Sequence, residues 1–298
     1  MGLEHLSAPL REGHVTSADG TEITYYVIGD GPRLWLMPPA MGAPLVSMRY
    51  LLERFASQYT IVSWDQRGFY RSGPPPNQAA MRVEDHLLDM EAVVAAERLD
   101  HFILGGWSMA VQLSLEYYHR RPDHVRALVL INGPFERALS AVARHPLAER
   151  FVIGLLRRAV SVRALLNPLS RLILGARGMG RVLERVGVIA QNAAFIEEIL
   201  ADFSTVDWGR YFTMTRLLHE HSAAEYLPGI RVPTLITSGT HDVVTPPATA
   251  ERMHGMIAGS ELFVVPHATH YIVAEFPDLL IERIAVFLAK VEALDAGP

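Results

Sequence analysis

The sequence predicts an α/β fold with a mainly parallel sheet, and three observations carry that reading. Short apolar runs bounded by Gly, Pro or Asp alternate with longer stretches of helical periodicity. Half of the 298 residues are hydrophobic and a fifth are charged, enough to bury a large core and too apolar for a disordered chain. No internal repeat, low-complexity tract or long linker interrupts the pattern.

Val15-Thr16 and Ile23 to Val27 flank the turn Ala18-Asp19-Gly20, so residues 12–28 are expected to form an antiparallel hairpin leading into the sheet. Strands are expected at Leu34 to Met37, Thr60 to Ser63, Phe102 to Leu104, Ala127 to Ile131, Thr234 to Thr237 and Leu262 to Val265. Val83 to Leu99 carries Leu87, Met90, Val94 and Leu99 at the spacing of one helix face, which should pack on the sheet. From about Pro134 to Ala224 the rhythm breaks into helices separated by Pro146, Pro168 and the glycines from Gly175 to Gly187. The expected division is a core of residues 1–133 and 225–298 with a helical cap, 134–224, inserted over the sheet.

Composition removes several chemistries. With no Cys there is no thiolate nucleophile, disulfide, zinc-thiolate site or iron-sulfur cluster. The basic residues are Arg apart from Lys290, which argues against Schiff-base chemistry and removes a Walker-type phosphate loop. A formal charge of −5 gives no overall pull towards nucleic acid. No apolar run approaches the ~18 residues of a membrane-spanning helix. Met1 to Leu6 lacks a secretion-signal layout and has Leu6 where myristoylation needs Ser or Thr, so a cytoplasmic location is expected.

The strongest chemical signal is Gly105-Gly106-Trp107-Ser108-Met109-Ala110, directly after one apolar strand and before the helical run from Val111 to His119. This is nearly a nucleophile elbow, a tight strand-to-helix turn that exposes a Ser hydroxyl above the sheet; Ala110 stands where the last Gly usually lies. Such a Ser needs a base to take its proton and an acid to fix that base's tautomer. Asp242 and His270 each follow a predicted strand, so the order Ser, Asp, His is satisfied. Asp242 can also be read as an acid of the turn before Pro246-Pro247.

These residues resemble the α/β-hydrolase superfamily over nearly the whole chain, in the branch with a helical cap after the sixth strand. The stretch from Gly106 through Tyr117-Tyr118 to Asn132 is similar to that family's nucleophile helix and next strand. Trp107 before the Ser resembles the carboxylesterase and pimeloyl methyl-ester hydrolase type. The resemblance implies an α/β-hydrolase fold and a triad of Ser108, Asp242 and His270. It also implies two backbone donors for an oxyanion. Met109 supplies one. The family's second donor follows a His-Gly pair after the third strand, but here the strand runs into Pro38-Pro39-Ala40-Met41-Gly42. Proline has no N–H, so Ala40 is the nearest candidate, with Met41 next.

Trp64-Asp65-Gln66-Arg67-Gly68 with Arg71-Ser72 is similar to a loop of proline iminopeptidases, although those enzymes place Trp after the nucleophile. The preferred reading is that Asp65 and Arg67 brace a loop after the fourth strand. His219-Glu220-His221 does not present both rings on one helix face, so no metal site is expected. His267 and His241 are expected to be loop residues without a proton-transfer role. From Arg150 to Arg185 there are eight Arg and one acidic residue, Glu184. Such a stretch can lie on an anionic membrane or draw in an acidic substrate, but a cap whose apolar face covers the site while its arginines meet water or core acids is preferred. Met37, Met41 and Trp107 are candidate substrate-binding residues.

The combined expectation is a Ser-dependent carboxylic-ester hydrolase for small-to-medium apolar esters or lactones, with neither cofactor nor metal and no nucleic-acid partner. Alternatives are a lactonase or carbon-carbon bond hydrolase using the same triad, then a cofactor-free peroxidase or dioxygenase, or a non-catalytic small-molecule receptor.

Overall fold

The computed structural model describes residues 6–139 and 146–295. Strands β1 (Leu10–Thr16) and β2 (Glu22–Ile28) lead to β3 (Arg33–Leu36), helix α1 (Arg49–Phe55) and β4 (Tyr59–Trp64). Helix α2 (Val83–Glu97), β5 (Phe102–Leu104), α3 (Met109–Arg120) and β6 (Val125–Ile131) follow. Then come α4 (Pro146–Ser161), α5 (Arg163–Leu174), α6 (Met179–Arg185), α7 (Ala193–Phe203) and α8 (Trp208–His219). The chain returns through β7 (Thr234–Gly239), α9 (Pro247–Met256), β8 (Glu261–Val265), α10 (Ile272–Glu275) and α11 (Pro277–Asp295).

Eight strands make one sheet in the order β1-β2-β4-β3-β5-β6-β7-β8. β1 and β2 pair antiparallel, and β2 runs antiparallel to β4, as the expected hairpin requires. The other pairings are parallel. Gly20, at φ +89°, turns the hairpin in a conformation that favours glycine. Each expected strand forms, because a parallel sheet covered on both faces needs continuous apolar runs.

Alternate residues of the strands feed two cores. Leu36, Val62, Leu128 and Leu130 face the side packed by α2 and α3. Trp35, Ile61, Val129 and Ile131 face the side packed by α1 and α11. From β3 the chain steps to β4 on one side, then crosses to β5 on the other. The winding reverses there, leaving a crevice beyond the C-terminal ends of β3 and β5 in which a ligand site is expected.

Helices α4 to α8 occupy the chain between β6 and β7, where the insertion is expected. Pro168 does not separate two of them. It lies inside α5, which continues past it. Two side chains on that helix anchor it to its neighbours: Asn167 Oδ1 accepts from Trp208 N at 3.0 Å, and Ser170 Oγ donates to Ser204 O at 3.3 Å. These contacts offset the backbone hydrogen bond that a helical proline cannot make. The glycine breaks fall as expected, with Gly178 at φ +86° before α6 and Gly187 at +76° after it.

Candidate active site

Ser108 sits at the sharp turn between β5 and α3 with φ 61° and ψ −121°, a conformation that costs a non-glycine residue energy and is held by its surroundings. Its N–H donates to Ile131 O at 2.9 Å, while Ile131 N donates to Gly106 O at 3.0 Å, which locks the turn against β6. A Cβ on Gly106 would lie 2.9 Å from Pro38 O and 3.1 Å from the Ala110 methyl. Gly106 therefore supplies the clearance that lets Ala110 replace the usual glycine.

The loops after β7 and β8 bring two further groups to this turn. His270 Nε2 lies 2.9 Å from Ser108 Oγ, and its Nδ1 lies 2.9 Å from Asp242 Oδ2. An ionised carboxylate only accepts, so Nδ1 carries the proton and Nε2 is free to accept from the Ser hydroxyl. Asp242 is buried. Its Oδ1 accepts from the N–H groups of Val244 and Thr245, both at 2.8 Å, and its Oδ2 from Thr245 Oγ1 at 2.8 Å and Asn132 Nδ2 at 3.2 Å. Thus Asp242 holds the turn before α9 with one oxygen and the imidazole with the other; the two sequence readings of this residue coexist. Trp107 Nε1 donates to His270 O at 2.8 Å and fixes the histidine loop from behind. Thr245 and Asn132 were not legible as supports, since each is an ordinary polar residue just after a strand or turn.

The loop after β3 faces Ser108. Ala110 N and Val111 N donate to Trp107 O and Ser108 O, whereas among the described residues no backbone acceptor takes the N–H of Met109, Ala40 or Met41. Gly42 N is not available, because it donates to Gln66 Oε1 at 2.6 Å. The Gln66 amide also donates to Met109 Sδ at 3.3 Å, and Tyr70 OH donates to Gly42 O at 2.6 Å. Gln66 thereby ties the loop after β3 to the residue following the serine, a role that sequence reasoning missed in favour of its charged neighbours. Those neighbours do brace the loop after β4. Fully buried Arg67 makes a two-pronged pair with Asp89 at 2.8 and 2.6 Å and reaches Asp19 at 2.7 Å. Burial pushes the Asp65 carboxyl up to about 6, opposed by hydrogen bonds from Arg71 N–H and Tyr26 OH.

Two cavities open from Ser108. One, of about 140 Å³, runs beneath α6 and α7, between Ala40, Trp107, His270 and the apolar side chains of Leu183, Ile196 and Phe203. The other, of about 100 Å³, runs along α3 past Met109, Gln112, Leu139 and Leu218. Met41, Ser108 and Val244 line both, so the site is a bent, two-armed slot. Trp107 lines the first arm alone. Met37 is a correction. It is buried in the core on the α1 and α11 side, because its N–H still pairs with Val62 O at 2.8 Å and the strand alternation turns its side chain away from the site.

In the second arm Gln112 Nε2 donates to Leu218 O at 3.2 Å and approaches His221 Nδ1 at 3.4 Å. Among the described residues its Oε1 is buried without a partner. His221 in turn faces Glu116 at 3.1 Å, which also accepts from Arg120 Nε at 2.9 Å and from Tyr226 OH. The hydrogen bond from His221 is the largest of the effects that hold the Glu116 carboxyl down at about 2, against the opposing effect of burial. His219 instead pairs with Glu149 at 3.0 Å, so the two histidines part company, and among the described residues no cluster of potential ligands could hold a metal ion. His241 and His267 lie exposed with their rings 5.4 Å apart, away from the relay.

Residues 36–277 match the family described as alpha/beta hydrolase fold. A RutD protein of Azorhizobium caulinodans, provisionally named a carbamate hydrolase, is 23% identical over 273 residues that cover 91% of this chain and 96% of that one. A proline iminopeptidase of Lactobacillus acidophilus is 42% identical over 64 residues, covering 21% of this chain and 22% of its own. The solved thermophilic esterase of Thermogutta terrifontis superposes with a TM-score of 0.72 at 19% identity, over 94% of this chain and 99% of the esterase.

Proposed function

This chain belongs to the alpha/beta hydrolase fold family, and from that premise we propose that it is a serine hydrolase of small carboxylic esters. The observation that carries the reading is the relay from Ser108 Oγ through His270 to Asp242, with 2.9 Å at each step. In the proposed reaction Ser108 Oγ attacks the acyl carbon while His270 Nε2 takes its proton. The oxyanion lies between the N–H of Met109 and that of Ala40, with Met41 N–H the neighbouring donor. His270 then gives the proton to the departing alkoxide, and a water activated by the same nitrogen releases the acid. Asp242 keeps the imidazole in the accepting tautomer and offsets its charge during both transfers. Residues 134–224 act as the cap that closes the slot.

Substrate size follows from the two arms. At about 140 and 100 Å³ each lies below the ~300 Å³ at which pockets for drug-sized ligands begin, which favours short acyl and alkoxy groups.

Hydrolysis of p-nitrophenyl esters from acetate to decanoate tests the proposal. The expected result is turnover that peaks at short chains and falls by at least about 10³-fold in Ser108→Ala. Turnover retained in that variant would remove the nucleophile. Absence of turnover in folded wild-type protein would remove the ester reading.

A further inference from the structure

The outer face of the cap is apolar, basic and uncovered. No residue of α5 is buried, although seven of its twelve are Leu, Ile or Ala. Leu165, Leu169 and Leu172 fall at i, i+4 and i+7, which is one stripe along one side of the helix, and are 67%, 43% and 73% exposed. Phe151 and Leu155 repeat the spacing on α4, with Val162 exposed between the two helices. Eleven of the seventeen exposed large hydrophobic side chains among the described residues lie between Leu147 and Val188. The cap was expected to turn its apolar face onto the site; from Arg150 to Arg185 it contributes Leu183 to the lining and turns these stripes outward.

The same segment carries a local excess of positive charge. Eight Arg and Glu184 give residues 150–185 a net charge of +7 in a chain of −5, leaving −12 on the remainder. Arg150, Arg157, Arg158, Arg171, Arg181 and Arg185 are exposed, and among the described residues none of them forms an ion pair. Contiguous apolar surface of this kind marks an interaction site. Its charge decides the partner. A second copy docked face to face would set +7 against +7, whereas an anionic lipid surface offers both an apolar layer for the leucines and counter-charge for the arginines.

We propose that α4 and α5 dock this protein on an anionic phospholipid surface, with Phe151 and the leucine stripes in the headgroup boundary and the arginines against the phosphates. Among the described residues no helix is long and apolar enough to cross a membrane, so the attachment is peripheral. Docking would hold the site where apolar esters partition, but the surface itself does not depend on which bond the site cleaves.

Vesicle co-sedimentation separates the outcomes. Wild-type protein should pellet with phosphatidylcholine vesicles containing about a third phosphatidylglycerol at least about tenfold better than with phosphatidylcholine alone, and lose much of that binding in about 0.5 M NaCl. The double variant Leu165→Asp/Leu172→Asp should lose the binding by about tenfold with its thermal midpoint unchanged, since both positions face water. Equal binding with and without phosphatidylglycerol, or undiminished binding by the double variant, would overturn the proposal. So would a wild-type dimer in sedimentation equilibrium that the double variant splits, which would make a second copy the occupant.

Discussion

Helices α3 and α5 are both twelve residues long and both carry apolar side chains at helical spacing, yet ten residues of α3 are buried and none of α5. Helix α3 starts at Ser108, where β5 delivers it onto the sheet, and β6 and α2 close over it. Helix α5 lies against α4, α7 and α8, and none of its own residues is buried. The charges are arranged in the opposite sense. Arg67 is buried and paired in the core, while Arg150, Arg157, Arg158, Arg171, Arg181 and Arg185 face water. Periodicity decides which residues share a face; what the chain lays against that face decides whether it is a core or a surface.

Breaking the core side of this contrast should have the largest effect. Arg67→Ala leaves the fully buried Asp89 carboxylate without its partner, which should cost about 3–5 kcal/mol and lower the thermal midpoint by roughly 10 °C. A midpoint within a few degrees of wild type would mean that water reaches Asp89. Next comes Leu115→Ala in α3, where a fully buried side chain leaves a cavity and should cost about 3 kcal/mol by chemical denaturation.

Much of this was legible in the chain because strands and the elbow are written in short range. The apolar runs at Phe102 to Leu104 and Thr234 to Thr237 read directly as strands, the second extending in the structure to Gly239. Ser108, Asp242 and His270 could be named because each follows such a strand, and His270 lies within hydrogen-bond reach of both the others. What escaped depends on long-range contact. Pro168 reads as a break, yet Trp208 and Ser204 anchor the helix around it. Met37 reads as a candidate for the site at the end of its strand, yet it packs on the same side as Trp35 in the core beside α1 and α11. Gln66 sits in a motif read for its charged neighbours, and its tie to Gly42 and Met109 exists only once β3, β4 and β5 are side by side.

Between core and cap stands Glu116, which joins α3 to the segment after α8 through His221 and Tyr226. Its carboxyl is held at about 2 instead of 4.5, so the folded chain binds this proton less readily than the unfolded one. The stabilisation is therefore complete above pH 4.5 and disappears as the pH falls towards 2. Glu116→Gln should lose on the order of 2 kcal/mol at pH 7, and thermal melts of the two proteins should converge on acidification. A gap that persists unchanged at pH 3 would place its origin in packing.

The smallest effect is expected from the change that most resembles the Leu115 truncation on paper. Leu172→Ala also removes a leucine side chain from a helix, but from a position that is 73% exposed and leaves no cavity behind. The transfer free energy that a buried leucine would lose is absent here, and alanine is the better helix former, so the shift should stay within about 0.5 kcal/mol of zero. If the same denaturation measurement instead gave a loss near that of Leu115→Ala, Leu172 would have to be buried in solution, against another part of this chain or a second copy of it. The face of α5 would then be an unrecognised core, and the contrast between the two helices would vanish.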